Sequence, residues 1–446
     1  MAEDRDIVSN MNARYALEPL DTLLFRDGRS FEQSDEGLTE ATSMFPPFPS
    51  VVAGAVRAQL AHNMGWSGRG KWNSTLTDQL GSGPFNATPL RVGPPIILVA
   101  NPSPDIGPFA AANYLPYFPC PAVLHGRLDP EMARQYGLLE LTQLRPARQV
   151  DQRTFWKKIS RFWSRTEQHK DRIATDLSLD EGQSLCAPNP DGFEALDEWL
   201  ISDTGLKDFL AGGIPNTQYL KHTGLLVTRQ NRAGLQRNYA AHAAESGMLY
   251  NASYVRLRQD RVWQGSKVGQ VTLGVAVDQS ALTKPIRMIP SATIVPLGSM
   301  GRVASCSAIE TSLDLAQLSV KAVAIKPTSD CYLHYMIVLI SPALPHTSPR
   351  GPGRGLNLPK GHEVVSAVIP KPIAFSGWDA STGGPAPMRR YVAPGSTWYM
   401  RFKGKVNNLQ EQFDELLLNG ISAEGSSVGF GAVVIGTWHY AGEESK

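Results

Sequence analysis

Gly425-Ser-Ser-Val-Gly-Phe-Gly-Ala-Val-Val-Ile-Gly-Thr-Trp438 decides how the carboxyl-terminal part of the chain is read. Gly429, Gly431 and Gly436 bracket an apolar run, residues 432–435. Glycine opens positive φ and lets backbone lie close against another backbone or a ligand. Successive N–H groups in such a turn line a concave anion site without a cationic side chain. The β-branched Val433, Val434 and Ile435 then read as a short buried strand. Just upstream, Leu409, Phe413, Leu416 and Leu417 fall at helical spacing over 407–418, with Asn419-Gly420 as the stop signal. The order is helix, glycine-rich turn, buried strand. Read plainly, the glycines make a tight turn; read functionally, they admit a ligand to the main chain.

The 446-residue length suits two domains, expected at 1–285 and 286–446. Net charge is only +2, so nucleic-acid binding has to come from local clusters of cations and not from a basic chain as a whole. The four cysteines, Cys120, Cys186, Cys306 and Cys331, show no C-x-x-C pairing. That argues against a zinc site and a disulfide framework, and fits a reducing compartment. The opening MAEDRDIVSN is charged and lacks the apolar core of a secretory signal, and no run has the length of a membrane span. A cytoplasmic protein with no membrane partner and no cofactor is expected.

Working back from that end, the basic positions come in sets. Arg26-Asp27-Gly28-Arg29 is a charged turn after a strand-like segment, 12–25. Pro46, Pro47 and Pro49 hold the next stretch extended, and Ser50 is placed as the N-cap of a helix continuing to about residue 61. Gly54 inside that helix costs roughly 1 kcal/mol against alanine, a cost offset where something approaches closely. Arg57 lies two turns along. For Ser50 and Arg57 core support and phosphate contact are equally good readings. Residues 90–100 are strand-like but broken by Pro94-Pro95, which predicts an edge or bent strand. Segment 145–172 interleaves nine Lys or Arg with Phe155, Trp156, Phe162 and Trp163. It is either an amphipathic helix with a solvated basic face or a stripe tracking phosphates. A short helix is expected around 193–201. Within 221–257 a long basic loop or hairpin carries Arg229, Arg232, Arg237 and His242 between strand-like runs at 224–228 and 247–257. Gly298-Ser-Met-Gly-Arg302 is a glycine turn ending in an arginine. Helices and strands alternate irregularly, which predicts an α+β architecture and not a doubly wound sheet.

Several of these stretches together resemble one family. Leu20-Asp-Thr-Leu-Leu-Phe-Arg-Asp-Gly-Arg29 and Phe45-Pro-Pro-Phe-Pro-Ser-Val-Val-Ala-Gly-Ala-Val-Arg57 resemble the amino-terminal signature of the Cmr-three-type subunit of type III-B CRISPR effector complexes. That subunit belongs to the RAMP superfamily, in its Cas-five-like group. Arg232-Ala-Gly-Leu, Glu245-Ser-Gly-Met-Leu-Tyr250, Gly298-Ser-Met-Gly-Arg302, Ser376-Gly-Trp-Asp379, Val392-Ala-Pro-Gly-Ser-Thr-Trp-Tyr399 and Gly429-Phe-Gly431 through Gly436-Thr-Trp438 follow in order. Ser299-Met300 departs from the Gly-Glu pair usual there, and 149–207 does not align. The resemblance implies two ferredoxin-like (RRM-like) domains with insertions and a glycine-rich loop near the carboxyl end, 425–438. It implies a non-catalytic subunit that holds the repeat-derived 5′ tag of the guide RNA. Its expected neighbours are the large polymerase/cyclase-like subunit and a backbone RAMP subunit of the filament, with target RNA met indirectly. The expected RNA-binding positions are Arg26, Arg29, Ser50, Gly54, Arg57, Arg229, Arg232, Arg237, His242, Arg302, Gly429 and Gly431.

Some RAMP proteins cleave RNA, so a metal-independent endonuclease is one alternative and a structural adaptor without RNA contact is another. For cleavage the candidate acid-base groups are His62, His242 and Asp27, with Arg26 or Lys221 stabilising charge. His62 reads better as a helix-end residue, Asp27 as a partner of its neighbouring arginines. No metal-ligand spacing, phosphate-binding P-loop or Ser-His-Asp set is convincing in the sequence.

Overall fold

The computed structural model describes residues 12–26, 39–81, 83, 85, 88–100, 114–129, 136–146, 192–238, 242–259, 262–263, 266–267, 269–282, 284, 286–346, 355–379 and 384–441. The first strand, Asn12–Pro19, lies inside a nine-stranded sheet and pairs antiparallel with Val271–Asp278 on one side and Val303–Ala308 on the other. Its alternation sends Tyr15 and Leu17 into the same core as Leu273 and Val275. The helix Pro49–Asn63 covers that face with Val52, Val56 and Leu60. Burying each such side chain stabilises the fold by about 1.5–3 kcal/mol.

That helix starts one residue earlier than Ser50. Phe48 is the N-cap residue and Pro49 the first helical one, because proline has no N–H to leave unpaired and its φ is already helical. Ser50 therefore sits within the first turn and caps nothing.

The stretch around Pro94-Pro95 is bent, as its prolines require, into Arg91–Val92 and Ile96–Ala100. It is not an edge. Ile96–Ala100 lies between Val271–Asp278 and Tyr114–Pro119, with the prolines confined to the break where no ladder bond is needed. Thr293–Pro296 and Val303–Ala308 complete this sheet from beyond residue 285.

Of the loop or hairpin expected within 221–257, the described residues form the hairpin. Val227–Asn238 and Ala243–Leu257 form a long antiparallel ribbon, in register from Val227↔Leu257 to Leu235↔Leu249, with an irregularity before Arg237. Thr39–Thr42 adds to it in parallel, the one parallel pairing among the described strands. Residues 224–228 do not begin as a strand. Thr223–Leu226 is a single helical turn, with the His222 Nδ1 accepting from the Gly224 N–H at 3.0 Å.

The helix expected at 193–201 is displaced. Glu194–Ala195 and Trp199–Ser202 are strands, and the helix is Asp203–Leu210. Trp199, Leu200 and Ile201 are all buried, which a central strand allows and a half-exposed helix does not. Ser202 then caps the helix, accepting from the Gly205 N–H.

The carboxyl-terminal part forms a four-stranded antiparallel sheet in the order Glu363–Val368, Thr397–Phe402, Leu333–Leu339, Val433–Thr437. Every residue of Leu333–Leu339 is buried. The helix Val406–Asn419 packs Leu409, Phe413 and Leu416 against it and ends at Gly420, whose φ of +64° continues the chain out of the helix. The Trp438 Nε1–H, buried, reaches the carbonyls of Tyr335 and Met400. The architecture is thus mixed α/β, mostly antiparallel sheet with few helices.

Candidate nucleic-acid interface

The root of the long ribbon gathers four of the expected arginines. In the register Arg232↔Ala252 and Gln230↔Tyr254, Arg232 is a diagonal neighbour of Tyr254 on one face. Its guanidinium lies 5.1 Å from the Tyr254 ring centroid. Arg302 comes to the same ring from the glycine turn, at 4.7 Å. That turn is closed by the Leu297 N–H bonding the Arg302 carbonyl and is pinned by the Ser299 N–H to the Leu24 carbonyl. Gly298, at φ +87°, has no room for a Cβ, which would meet the Leu24 carbonyl oxygen at 2.7 Å.

Asp21 joins the two cations: Arg302 donates to its Oδ2 at 2.6 Å, and Arg232 lies 3.8 Å from its Oδ1. The backbone N–H of Thr22, then the charges of Arg302 and Arg232, hold the Asp21 carboxyl below the usual carboxylate range. Tyr254 itself is buried, in a small cluster with Leu24 and Ala252. The ring thus serves as a fixed platform under two guanidinium groups.

Beside this pair, the segment running on from Asp21 pairs Leu23 with Val255 and Arg26 with Ser43. The Phe25 N–H donates to the Ser43 Oγ, and Arg229 donates to the Ser43 carbonyl at 2.7 Å. Arg26 and Arg229 are both exposed there. Arg232 and Arg302 thus share one ring and one carboxylate, while Arg26 and Arg229 meet the chain at Ser43, Arg229 lying on the ribbon face opposite to Arg232.

The remaining candidates are placed differently. His242 is exposed at the far end of the ribbon, at φ +50°. Arg237 lies on the ribbon strand opposite Ala244. Arg29 lies outside the described residues, as does most of the 145–172 segment. Gly54 is exposed on the first helix, with nothing within 4 Å of where a Cβ would stand. Arg57 turns inward. It is 5 % exposed and donates to the Gly83 carbonyl at 3.0 Å and the Thr88 Oγ1 at 3.1 Å. Burial pulls its pKa down to about 10. Of its two readings, the structure supplies core support.

At Gly429 and Gly431 the tight-turn reading has its structural counterpart. Both have positive φ, +89° and +69°. A Cβ at Gly429 would meet Pro94 N at 2.6 Å, and one at Gly431 would overlap Ser422. The Gly429 carbonyl accepts from the Ser341 Oγ, and the Gly431 N–H donates to the Pro342 carbonyl. The approach these glycines permit is that of the protein's own backbone.

Sequence reasoning missed Tyr254 and Asp21. Tyr254 stands in an alternating strand, and Asp21 precedes an apolar run, so neither carries a local signal. Asp21 meets arginines more than two hundred residues away, and Tyr254 meets one from the paired strand and one from the Gly298 turn. Of the candidate acid-base groups, His62 is exposed near the end of its helix with its ring 4.9 Å from that of Trp66. Burial lowers the pKa of Lys221, and Asp27 lies outside the described residues. Among the described residues no group of three or more His, Cys, Asp or Glu is arranged to hold a metal ion, and no helix is long and apolar enough to cross a membrane.

The family model described as CRISPR-associated protein (Cas_Cmr3) matches residues 15–438. The chain belongs to the Cas_Cmr3 family. The matched span runs from the first strand through Trp438 and so contains the arginine cluster, the ribbon and the glycine-rich turn. Among solved structures, a chain of a type III-B Cmr-beta complex bound to cognate target RNA and AMPPnP is similar to this Cas_Cmr3 chain at 15% identity and a TM-score of 0.41. The match covers 94% of this chain and 98% of that one. A chain from the Cmr-beta complex bound to cognate target RNA gives 15% identity and a TM-score of 0.40 over 94% and 96%. No curated protein matches the chain.

Proposed function

We propose that this Cas_Cmr3 member is a non-cleaving, RNA-holding subunit of a type III-B CRISPR ribonucleoprotein. It grips the repeat-derived 5′ tag of the guide RNA and docks the large polymerase/cyclase-like subunit and a backbone RAMP subunit. The observation that carries the reading is the convergence of Arg232 and Arg302 on Tyr254 and Asp21, with Arg229 on the opposite face of the same ribbon root. The arginines at the ribbon root present the forked donors that phosphate oxygens accept. Two of them lie over a ring that holds them in position, so little side-chain freedom is lost when RNA arrives. The carboxyl-terminal sheet supports a ferredoxin-like reading of that half, because its strands run 4-1-3-2 by chain order.

Guide RNA bearing 4-thiouridine at successive tag positions, assembled with all subunits and irradiated, tests this. Crosslinks from the tag to the ribbon root are the expected outcome. Crosslinks confined to neighbouring subunits would leave this chain a structural adaptor. Cleavage of repeat RNA by the purified chain in EDTA, lost in His242→Ala or His62→Ala, would make it a nuclease.

A further inference from the structure

A second aromatic residue is presented in the opposite way to Tyr254. Trp378, in the motif Ser376-Gly-Trp-Asp379, is 67 % exposed, whereas Trp398 and Trp438 are 0 % and 1 % exposed. Its support is firm. Trp378–Asp379 pairs with Gly384–Pro385, the Ala386 N–H bonds the Gly377 carbonyl at 2.8 Å, and the Ser376 Oγ donates back to the Ala386 carbonyl. Beneath this ribbon Phe375 stacks on Phe48 with ring centroids 3.7 Å apart. The ring is therefore held out by a braced base, not left on a loose loop.

Its chain neighbour Gly377 faces the first helix. The position of a Cβ on Gly377 is 3.9 Å from the Ser50 Oγ. One turn further, Gly54 is exposed, with open space where a side chain would be. The first turn of that helix carries no acidic residue. Segment 371–390 holds Lys371, Arg389 and Arg390 against the single acid Asp379. Lys371 and Arg390 are exposed, while Arg389 is paired with Glu424.

We infer that Trp378 is a stacking platform for one unpaired base of the bound RNA, whose sugar-phosphate backbone passes along the bare face of the first helix at Gly54. This rests on the RNA-holding reading above and adds a base contact to its phosphate contacts. An exposed indole offers a π-face to any base. The surplus of cations in its segment matches a polyanion, and a strand needs the clearance that Gly54 leaves. A partner protein would find the same ring, but neither the cation surplus nor the bare helix turn is needed for it.

The test titrates the full chain with fluorescein-labelled tagged guide RNA over a range of salt. Trp378→Ala should weaken binding about tenfold and leave the slope of log K against log salt unchanged, because stacking releases no counterions. Trp378→Phe should keep most of the affinity. Placing an abasic ribose at each tag position in turn should find one position whose loss costs the wild type as much as Trp378→Ala, and costs that variant nothing more. Wild-type affinity in Trp378→Ala overturns the inference, and does so as a protein-docking site if that variant also fails to join the other subunits. In that case Arg232→Ala with Arg302→Ala still weakens RNA binding, and the RNA-holding reading stands. No RNA binding by the wild type, alone or in the assembled complex, overturns both.

Discussion

Arg302 and Arg232, seventy positions apart in the chain, both hold their guanidinium groups over the ring of Tyr254, at 4.7 and 5.1 Å from its centroid. Two like charges at one ring repel each other, and Asp21 between them offsets that repulsion. The arrangement braces both cations while leaving Arg232 more open to solvent than Arg302, at 38% and 19% side-chain exposure.

Tyr254→Ala should therefore be costly in two ways. Losing a buried aromatic side chain destabilises the fold by about 3–5 kcal/mol, and the arginines lose their support. Tyr254→Phe keeps the ring and should change stability by less than about 1 kcal/mol. Chemical denaturation of the two variants separates these outcomes.

Asp21 competes with phosphate for Arg302 and Arg232. Asp21→Asn should tighten RNA binding and steepen its salt dependence, since the freed cations meet phosphate instead of carboxylate. The folded state lowers the Asp21 pKa. Its contribution to stability is thus present above the unfolded-state pKa and lost as pH falls through the lowered folded value. Because the group is exposed, that contribution is small. NMR titration of the Asp21 carboxyl should give a midpoint below that of an unfolded aspartate, and Arg302→Ala should raise it.

Gly429→Ala tests what the glycine-rich turn is for. A residue with a Cβ at φ +89° is strained, and here the Cβ meets the Gly93–Pro94 backbone. A loss of about 2–4 kcal/mol is expected, seen as a lowered Tm of the free protein. RNA affinity per folded molecule should be unchanged. A variant with normal Tm and weakened RNA binding would return the turn to the RNA site.

Arg57 makes the parallel case for a buried cation. Arg57→Ala leaves the Gly83 carbonyl and the Thr88 Oγ1 without their donor, at a cost of about 2–4 kcal/mol, and should leave the salt slope of RNA binding as it was. A reduced slope at normal stability would place this arginine on phosphate.

These four cases show what was legible in the sequence. The helix Val406–Asn419 and strand Val433–Thr437 could be read because their periodicity and glycine stop are local. Arg229 and Arg232 stood out as cations between strand-like runs, and the ribbon has them near its root. The meeting of Asp21, Tyr254 and Arg302 could not be read, because it depends on Leu23 pairing with Val255 and on the turn at Gly298. Glycine-rich composition at 425–438 announced a close approach without saying of what. The strand Trp199–Ser202 was misplaced as helix because a short apolar run fits both periods, and only burial on every side decides between them.

The most direct test of the arginine grip compares guide RNA with and without its 5′ tag, binding to wild type and to Arg232→Ala with Arg302→Ala across a salt series. The double variant should fold normally, bind tagged RNA more weakly, and show a log-log salt slope smaller by about two, with the loss larger for tagged than for untagged RNA. Equal affinity and equal slope in the two proteins would contradict the account.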